Sequence, residues 1–251
     1  MRVLLIAFSL LLYQLYSFSQ EFEVKPMKLF FDSTTTTGII NIYNKSDKKN
    51  QFGIFYKDYE KDTLGTLNFL PSNAHKNSCF DEISFIPALI NIEANSMASV
   101  SVQYNNYDSI LRWGMLVVKP ILSNESLKLD SSQIRIFPQI AVKLYCNNSK
   151  NNEISFNLSK IECKNKKYSV KVENTNLYFQ RFNILIVATN LITLEEVEIK
   201  NISTEFLPMS NRVVEFGLNQ ELKKGKYSLA FILKDENQNF IGGEEIVIDV
   251  D

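Results

Sequence analysis

The most regular alternation of apolar and polar positions runs from Ile134 to Tyr145. Ile134, Ile136, Pro138, Ile140, Val142 and Leu144 fall on one side of an extended chain; Arg135, Phe137, Gln139, Ala141, Lys143 and Tyr145 fall on the other. This predicts a long strand over Gln133 to Tyr145 with a proline inside it. Proline has no N–H to give to a sheet ladder, so such a strand belongs at a sheet edge. A long apolar edge strand aggregates unless something pairs with it. Pairing with a foreign strand is an established recognition mode. The pattern therefore points to a protein partner and not to chemistry.

The same period of two recurs along most of the chain. In the first half it predicts strands over Glu23–Phe31, Gly38–Asn44, Asn50–Asp58, Ser96–Tyr104 and Arg112–Lys119. Cys146 to Asn152 is a run of turn formers and reads as a linker. A second series follows: Ile154–Ile161, Tyr168–Val172, Phe182–Thr189, Glu195–Lys200, Asn211–Phe216, Lys226–Lys234 and Gly243–Asp249. Lys224-Gly225-Lys226 and Gly242-Gly243 read as turns. No long window shows a 3.6-residue period. Short strands at this spacing, twice over, predict an all-β chain of two immunoglobulin-like β-sandwich domains in tandem. The expected division is residues 1–19, 20–146, 147–152 and 153–251: leader, first sandwich, linker, second sandwich.

The leader changes the picture of where the protein works. Met1-Arg2 is a positive start, Val3 to Tyr16 is apolar, and Ser17-Phe18-Ser19 offers small residues for cleavage before Gln20. This predicts export to the periplasm, with the cell surface or exterior as second choice. No later stretch is apolar for the ~18 residues a spanning helix needs. The expected product is soluble, with no membrane insertion after cleavage.

Composition narrows the partners. Lys and Arg number 27 and Asp and Glu 28, for a net charge of −1, so nothing draws the chain to nucleic acid or anionic lipid. The three cysteines are Cys79, Cys146 and Cys163, so at least one thiol stays unpaired within the chain. Cys146 and Cys163 flank the expected junction, and a bridge between them is open in an oxidising compartment. No Cys-x-x-Cys occurs and the single His75 lies in a polar stretch, so no metal site or cofactor is expected. There is no Gly-x-Ser-x-Gly, His-Glu-x-x-His, phosphate-binding glycine loop or dinucleotide fingerprint. With one histidine and none of these motifs, the reading is non-catalytic. Trp113, beside Arg112 on a strand, reads as core.

The first half resembles the periplasmic pilus-chaperone family, the PapD-like proteins. Val24-Lys25-Pro26-Met27-Lys28-Leu29-Phe30-Phe31-Asp32 is similar to the family's first strand. Ile39 to Ser46 resembles a second strand ending in Asn, here Asn44. Ile83 to Ala94 resembles the Phe-x-Pro stretch that precedes a strand, and Ala141 to Tyr145 the end of the last strand of the first domain. The likeness covers about residues 22 to 146; residues 153 to 251 add a generic second sandwich.

The resemblance implies a function. In the family, two basic residues in a cleft hold the C-terminal carboxylate of an exported subunit, and the last strand of the first domain fills a gap in that subunit. Carried over by position, the carboxylate-binding pair is Lys28 and Lys143, and the donor-strand residues are Ile134, Ile136, Pro138 and Ile140. The implied partner is an exported pilus-type or surface subunit bound by strand addition. The chain departs from the pattern in four places. The strand Arg112 to Val118 lacks the family's usual ending. Lys28 stands where an Arg is usual, keeping charge but losing the two-pronged geometry. Pro138 stands where a bulky apolar residue is usual. Cys79 precedes the Phe-x-Pro stretch with no predicted partner. From the residues alone, Lys28 also reads as an edge charge that blocks aggregation, and Ile134 and Ile136 as ordinary core. The alternative function is a structural or adhesive tandem immunoglobulin-like component of an envelope or surface complex.

Overall fold

A computed structural model describes residues 22–106, 110–121, 138–147, 154–164, 167–218 and 222–250. The expected leader, donor residues Ile134 and Ile136, and most of the expected linker lie outside the described residues. Packing groups the chain into two compact units. One comprises residues up to Asp58 together with Pro71–Asn147; the other comprises Tyr59–Leu70 and Asn148–Asp251.

The first unit stacks two sheets. One has the order β1 (Phe22–Lys25), β3 (Thr37–Asn44), β8 (Met97–Tyr104), β6 (Ile83–Ile86). The other has the order β2 (Lys28–Phe31), β10 (Ile140–Cys146), β9 (Arg112–Ile121), β4 (Asn50–Lys61), with β7 (Leu89–Ile92) also on β4; β5 (Leu67–Leu70) and the end of β4 from Tyr59 are grouped with the second unit. Alternate residues of both sheets meet in the core. Ile40, Ile42, Val100 and Val102 come from one sheet; Ile54, Leu116, Val118, Val142 and Leu144 come from the other. Each such side chain contributes about 1.5–3 kcal/mol by leaving water.

The expected first strand, Glu23–Phe31, is two strands in different sheets. β1 pairs antiparallel with β3, whereas β2 pairs parallel with β10. Pro26 lies between them and has no N–H to carry a ladder onward. The inward residues also change parity, from Phe22 and Val24 to Leu29 and Phe31. That change is what a chain needs to pass from one layer to the other while still facing the core. Pro87 does the same between β6 and β7, two short strands that the alternation did not predict.

The second unit is also two sheets. β11 (Phe156–Leu158) and β12 (Glu162–Lys164) share one edge of β13 (Lys167–Asn174), and β16 (Asn211–Gly217) takes the other. The facing sheet has the order β15 (Glu196–Phe206), β14 (Gln180–Asn190), β17 (Gly225–Lys234), β18 (Phe240–Val250). The core is again a period-two set: Tyr168, Val170 and Val172, Phe182, Ile184 and Ile186, Leu229, Phe231 and Leu233.

Two expected turns are strand. Gly242 and Gly243 lie inside β18. A Cβ on Gly242 would fall 2.6 Å from the Phe156 ring, and one on Gly243 2.7 Å from the Phe231 carbonyl oxygen. The glycines admit a ring and a neighbouring backbone where no side chain fits. Likewise β17 begins at Gly225, leaving only Lys224 as a bend. The Cys146–Cys163 bridge is not present: Cys146 is buried in the first unit, Cys163 is exposed in β12, and both are free thiols.

Candidate functional site on the β2–β10–β9 sheet face

The last strand of the first unit has two halves. Lys143, Leu144, Tyr145 and Cys146 pair in parallel with Lys28, Leu29, Phe30 and Phe31 of β2, and antiparallel with β9 on the other side. Backbone bonds from Lys143 N to the Met27 carbonyl (3.0 Å) and from Asn147 N to the Phe31 carbonyl (2.8 Å) close both ends of the parallel ladder. Ile140, Ala141 and Val142 pair with Val118, Val117 and Leu116 of β9. Among the described residues they have no strand on the β2 side. The edge predicted from Pro138 therefore exists at the start of β10 and ends where β2 begins.

The core-facing row along β10 runs outward through that open half. Leu144 and Val142 are fully buried. Ile140 is half-buried and packs against the first unit's core, and Pro138 is half-buried just ahead of the strand. Pro138, Gln139, Ile140, Ala141 and Val142 carry no charge.

The opposite face of the same strands holds the two lysines. Lys28 and Lys143 are register partners, and paired strands lie about 4.8 Å apart. Paired residues of a parallel ladder point the same way, so both stems leave the sheet side by side. The row continues through Met115 to Lys57, by pairing of Lys143 with Met115 and of Met115 with Lys57. Met115 is fully buried, both site lysines are half-buried and Lys57 is exposed. The neighbouring row is aromatic: Phe30, Tyr145 and Trp113 are register partners, with Phe30 and Tyr145 stacked at 5.2 Å. Trp113, expected as core, is buried on this face against His75, 4.8 Å between rings. A cationic row thus borders an apolar floor. Partial desolvation strengthens any hydrogen bond that an ammonium gives to an anionic oxygen.

Sequence reasoning reached Lys28 and Lys143 only through the family likeness. It missed Lys57, although the Phe55-Tyr56-Lys57 alternation placed that side chain opposite Tyr56. It also missed how the segment ahead of the 3-10 turn Phe80–Glu82 is held. There, fully buried Asp58 accepts from Ser78 Oγ (2.7 Å), Tyr56 Oη (2.9 Å), Ala74 N (2.7 Å) and His75 N (3.1 Å). Burial raises the Tyr56 phenol, keeping it a donor. Among the described residues no cluster of three His, Cys, Asp or Glu side chains could hold a metal ion.

The arrangement is that of a fimbrial chaperone in fold. The class 5 fimbriae chaperone CfaA superposes with a TM-score of 0.53 at 12% identity, over 92% of this chain and 99% of that one. A chain from a chaperone–tip adhesin complex of CFA/I fimbriae biogenesis superposes with a TM-score of 0.51 at 12% identity, over 91% and 99%. No family model matches the sequence, and neither does any curated protein. The chain resembles the pilus chaperones over nearly its whole length and is an all-β protein of two immunoglobulin-like units.

Proposed function

We propose that this protein is an exported, periplasmic chaperone that binds a pilus-type or surface subunit by strand addition, with Lys28 and Lys143 holding the subunit's terminal carboxylate. The observation that carries the reading is the parallel register of β2 with β10, which sets the two lysines beside each other where the open half of β10 begins. A strand laid along Ile140 to Val142 would continue the line of β2. Its end would meet the ammonium groups, which would fix its register. Each charge-assisted hydrogen bond is worth about 1.5–3 kcal/mol. Apolar side chains at Pro138 and Ile140, with Ile134 and Ile136 earlier in the sequence, would cover the subunit's gap at about 25 cal/mol per Å². Lys57 adds positive charge to the same row. The chaperone fold shared with CfaA, and the chaperone–tip adhesin complex of CFA/I fimbriae biogenesis, support an exported subunit as the partner.

The test is a pull-down from the native envelope comparing wild type with a folded Lys28→Ala/Lys143→Ala double variant. Loss of an exported, subunit-like protein supports the reading and identifies the partner. Retention of the same partners without either lysine refutes the carboxylate anchor and favours a permanent structural component.

A further inference from the structure

The aromatic row beside the lysines ends in an exposed ring that core packing does not account for. Leu29 and Phe31 pack in the core of the first unit, so Phe30 between them points to the lysine face. Phe30 is 46% exposed, on the edge strand of its sheet. The ring is supported from behind. It stacks on Tyr145 at 5.2 Å, with 19° between the planes. Tyr145 and its register partner Trp113 are buried, and Trp113 is backed by His75. The His75 ring is fixed in turn, its Nδ1 accepting from Asn77 N at 3.1 Å. The row therefore holds a large apolar ring at the surface in a set orientation. Lys28 stands two residues away on the same strand and the same face, roughly 6.6 Å off at strand spacing.

We propose that Phe30 selects the subunit's last residue, taking an aromatic side chain while Lys28 and Lys143 hold that residue's carboxylate. The inference rests on the carboxylate reading and adds to it the chemical class of the terminal residue. Reach and charge decide the class. A residue held by its carboxylate on the lysine row must cover the distance to Phe30 with its own side chain. Alanine, serine and valine stop short of it; a phenyl or phenol ring spans it. Lysine and arginine also span it, but bring positive charge beside two ammonium groups. Glutamate would set its carboxylate against a ring that offers it no hydrogen bond. Leucine covers part of the distance but has no ring to stack. Ring on ring adds an offset or edge-to-face attraction to the burial of both surfaces. The stacked Tyr145 keeps Phe30 in place before the partner arrives, so binding has little left to order.

The test uses the full chain and short labelled peptides of alternating Thr and Val that differ only in the last residue. That residue is Phe, Leu or Ala with a free carboxylate, or Phe with an amide end. Fluorescence anisotropy measures each affinity. The Phe-ended acid should bind about tenfold tighter than the Ala-ended acid, with the Leu-ended acid between them. Phe30→Ala should bring the Phe- and Ala-ended acids to within about twofold of each other, a coupling that a merely structural role of Phe30 would not produce. Phe30→Leu keeps an apolar side chain on β2 should the alanine variant fail to fold; it should bring the Phe- and Leu-ended acids level. Equal affinities for all three acids, with the amide weaker, overturn the aromatic preference and leave the carboxylate anchor standing. An amide that binds as well as its acid overturns the anchor and this inference with it. Binding by none of the peptides counts against both.

Discussion

The two units end comparable strands in the same way and then treat their sheet edges differently. β3 and β13 each run out of the core to a buried asparagine that ties down the next turn. Asn44 Nδ2 donates to the carbonyls of Lys48 (2.7 Å), Ile92 (3.0 Å) and Glu93 (3.0 Å), and its Oδ1 accepts from Ser46 Oγ (2.7 Å). Asn174 Nδ2 donates to the carbonyls of Tyr178 (2.9 Å) and Leu207 (3.0 Å), and its Oδ1 accepts from Asn176 N (3.0 Å). The edges diverge. In the second unit the outer strands β15 and β18 carry exposed Glu196 and Glu198, and Glu245 and Asp249. Charges at an edge deter a foreign strand. The open half of β10 in the first unit carries none, and the cationic pair stands at its closed end. A shared scaffold thus presents edges that carry charges against a foreign strand and an open half of β10 that carries none.

The largest expected effect tests the accepting edge. Removing both lysines deletes about two charge-assisted hydrogen bonds, roughly 3–6 kcal/mol, so partner affinity should fall a hundredfold or more, with each single variant losing about tenfold. Titration of the captured subunit against the variants measures this. Equal affinity for the double variant would erase the functional difference between the units.

The scaffold itself can be broken unit by unit. Asn44→Ala and Asn174→Ala each strand buried carbonyls and an amide, at about 3 kcal/mol. Trp113, the only tryptophan, sits in the first unit. Its fluorescence should report an earlier denaturant transition for Asn44→Ala and an unchanged one for Asn174→Ala. A common shift would mean the units do not unfold separately.

A smaller effect comes from giving β10 the character of β18. Ile140→Glu places a charge on the open half at a half-buried position. Partner affinity should fall by about tenfold, at a stability cost of about 1 kcal/mol, because Ile140 only partly fills the core. Unchanged binding would show that the partner does not lie along this segment.

The smallest concerns Glu23 in β1, which contacts Lys25 and Lys45 at 2.5 Å each. Hydrogen bonds to Lys25 and then Lys45 hold its carboxyl at about 2, against an ordinary 4.5. A lowered folded pKa means the contribution is present above pH 4.5 and is lost as pH falls from there towards 2. An NMR titration of Glu23 with its midpoint near 4.5 would remove this pair from the account.

Alternation made the strands legible, because a half-buried sheet surface needs a period of two and the chain supplies it in Ile40–Ile42, Val142–Leu144 and Val170–Val172. What alternation lacks is pairing. β2 and β10 come from opposite ends of the first unit's sequence, so the adjacency of Lys28 and Lys143 was visible only as a family likeness. The sheet changes at Pro26 and Pro87 were marked by proline but not by direction. Gly242-Gly243 misled because glycine also serves close approach, and the ring that needs the room, Phe156, is remote in sequence.

The central claim is that a foreign strand adds to the open half of β10. Backbone amide hydrogen exchange, residue by residue along Ile140 to Cys146, with and without the captured subunit, tests it most directly. The account predicts that exchange slows on binding within Ile140–Val142, while Leu144 to Cys146, already paired with β2 and β9, stay as slow as before. Unchanged exchange across Ile140–Val142 with the subunit bound would contradict it.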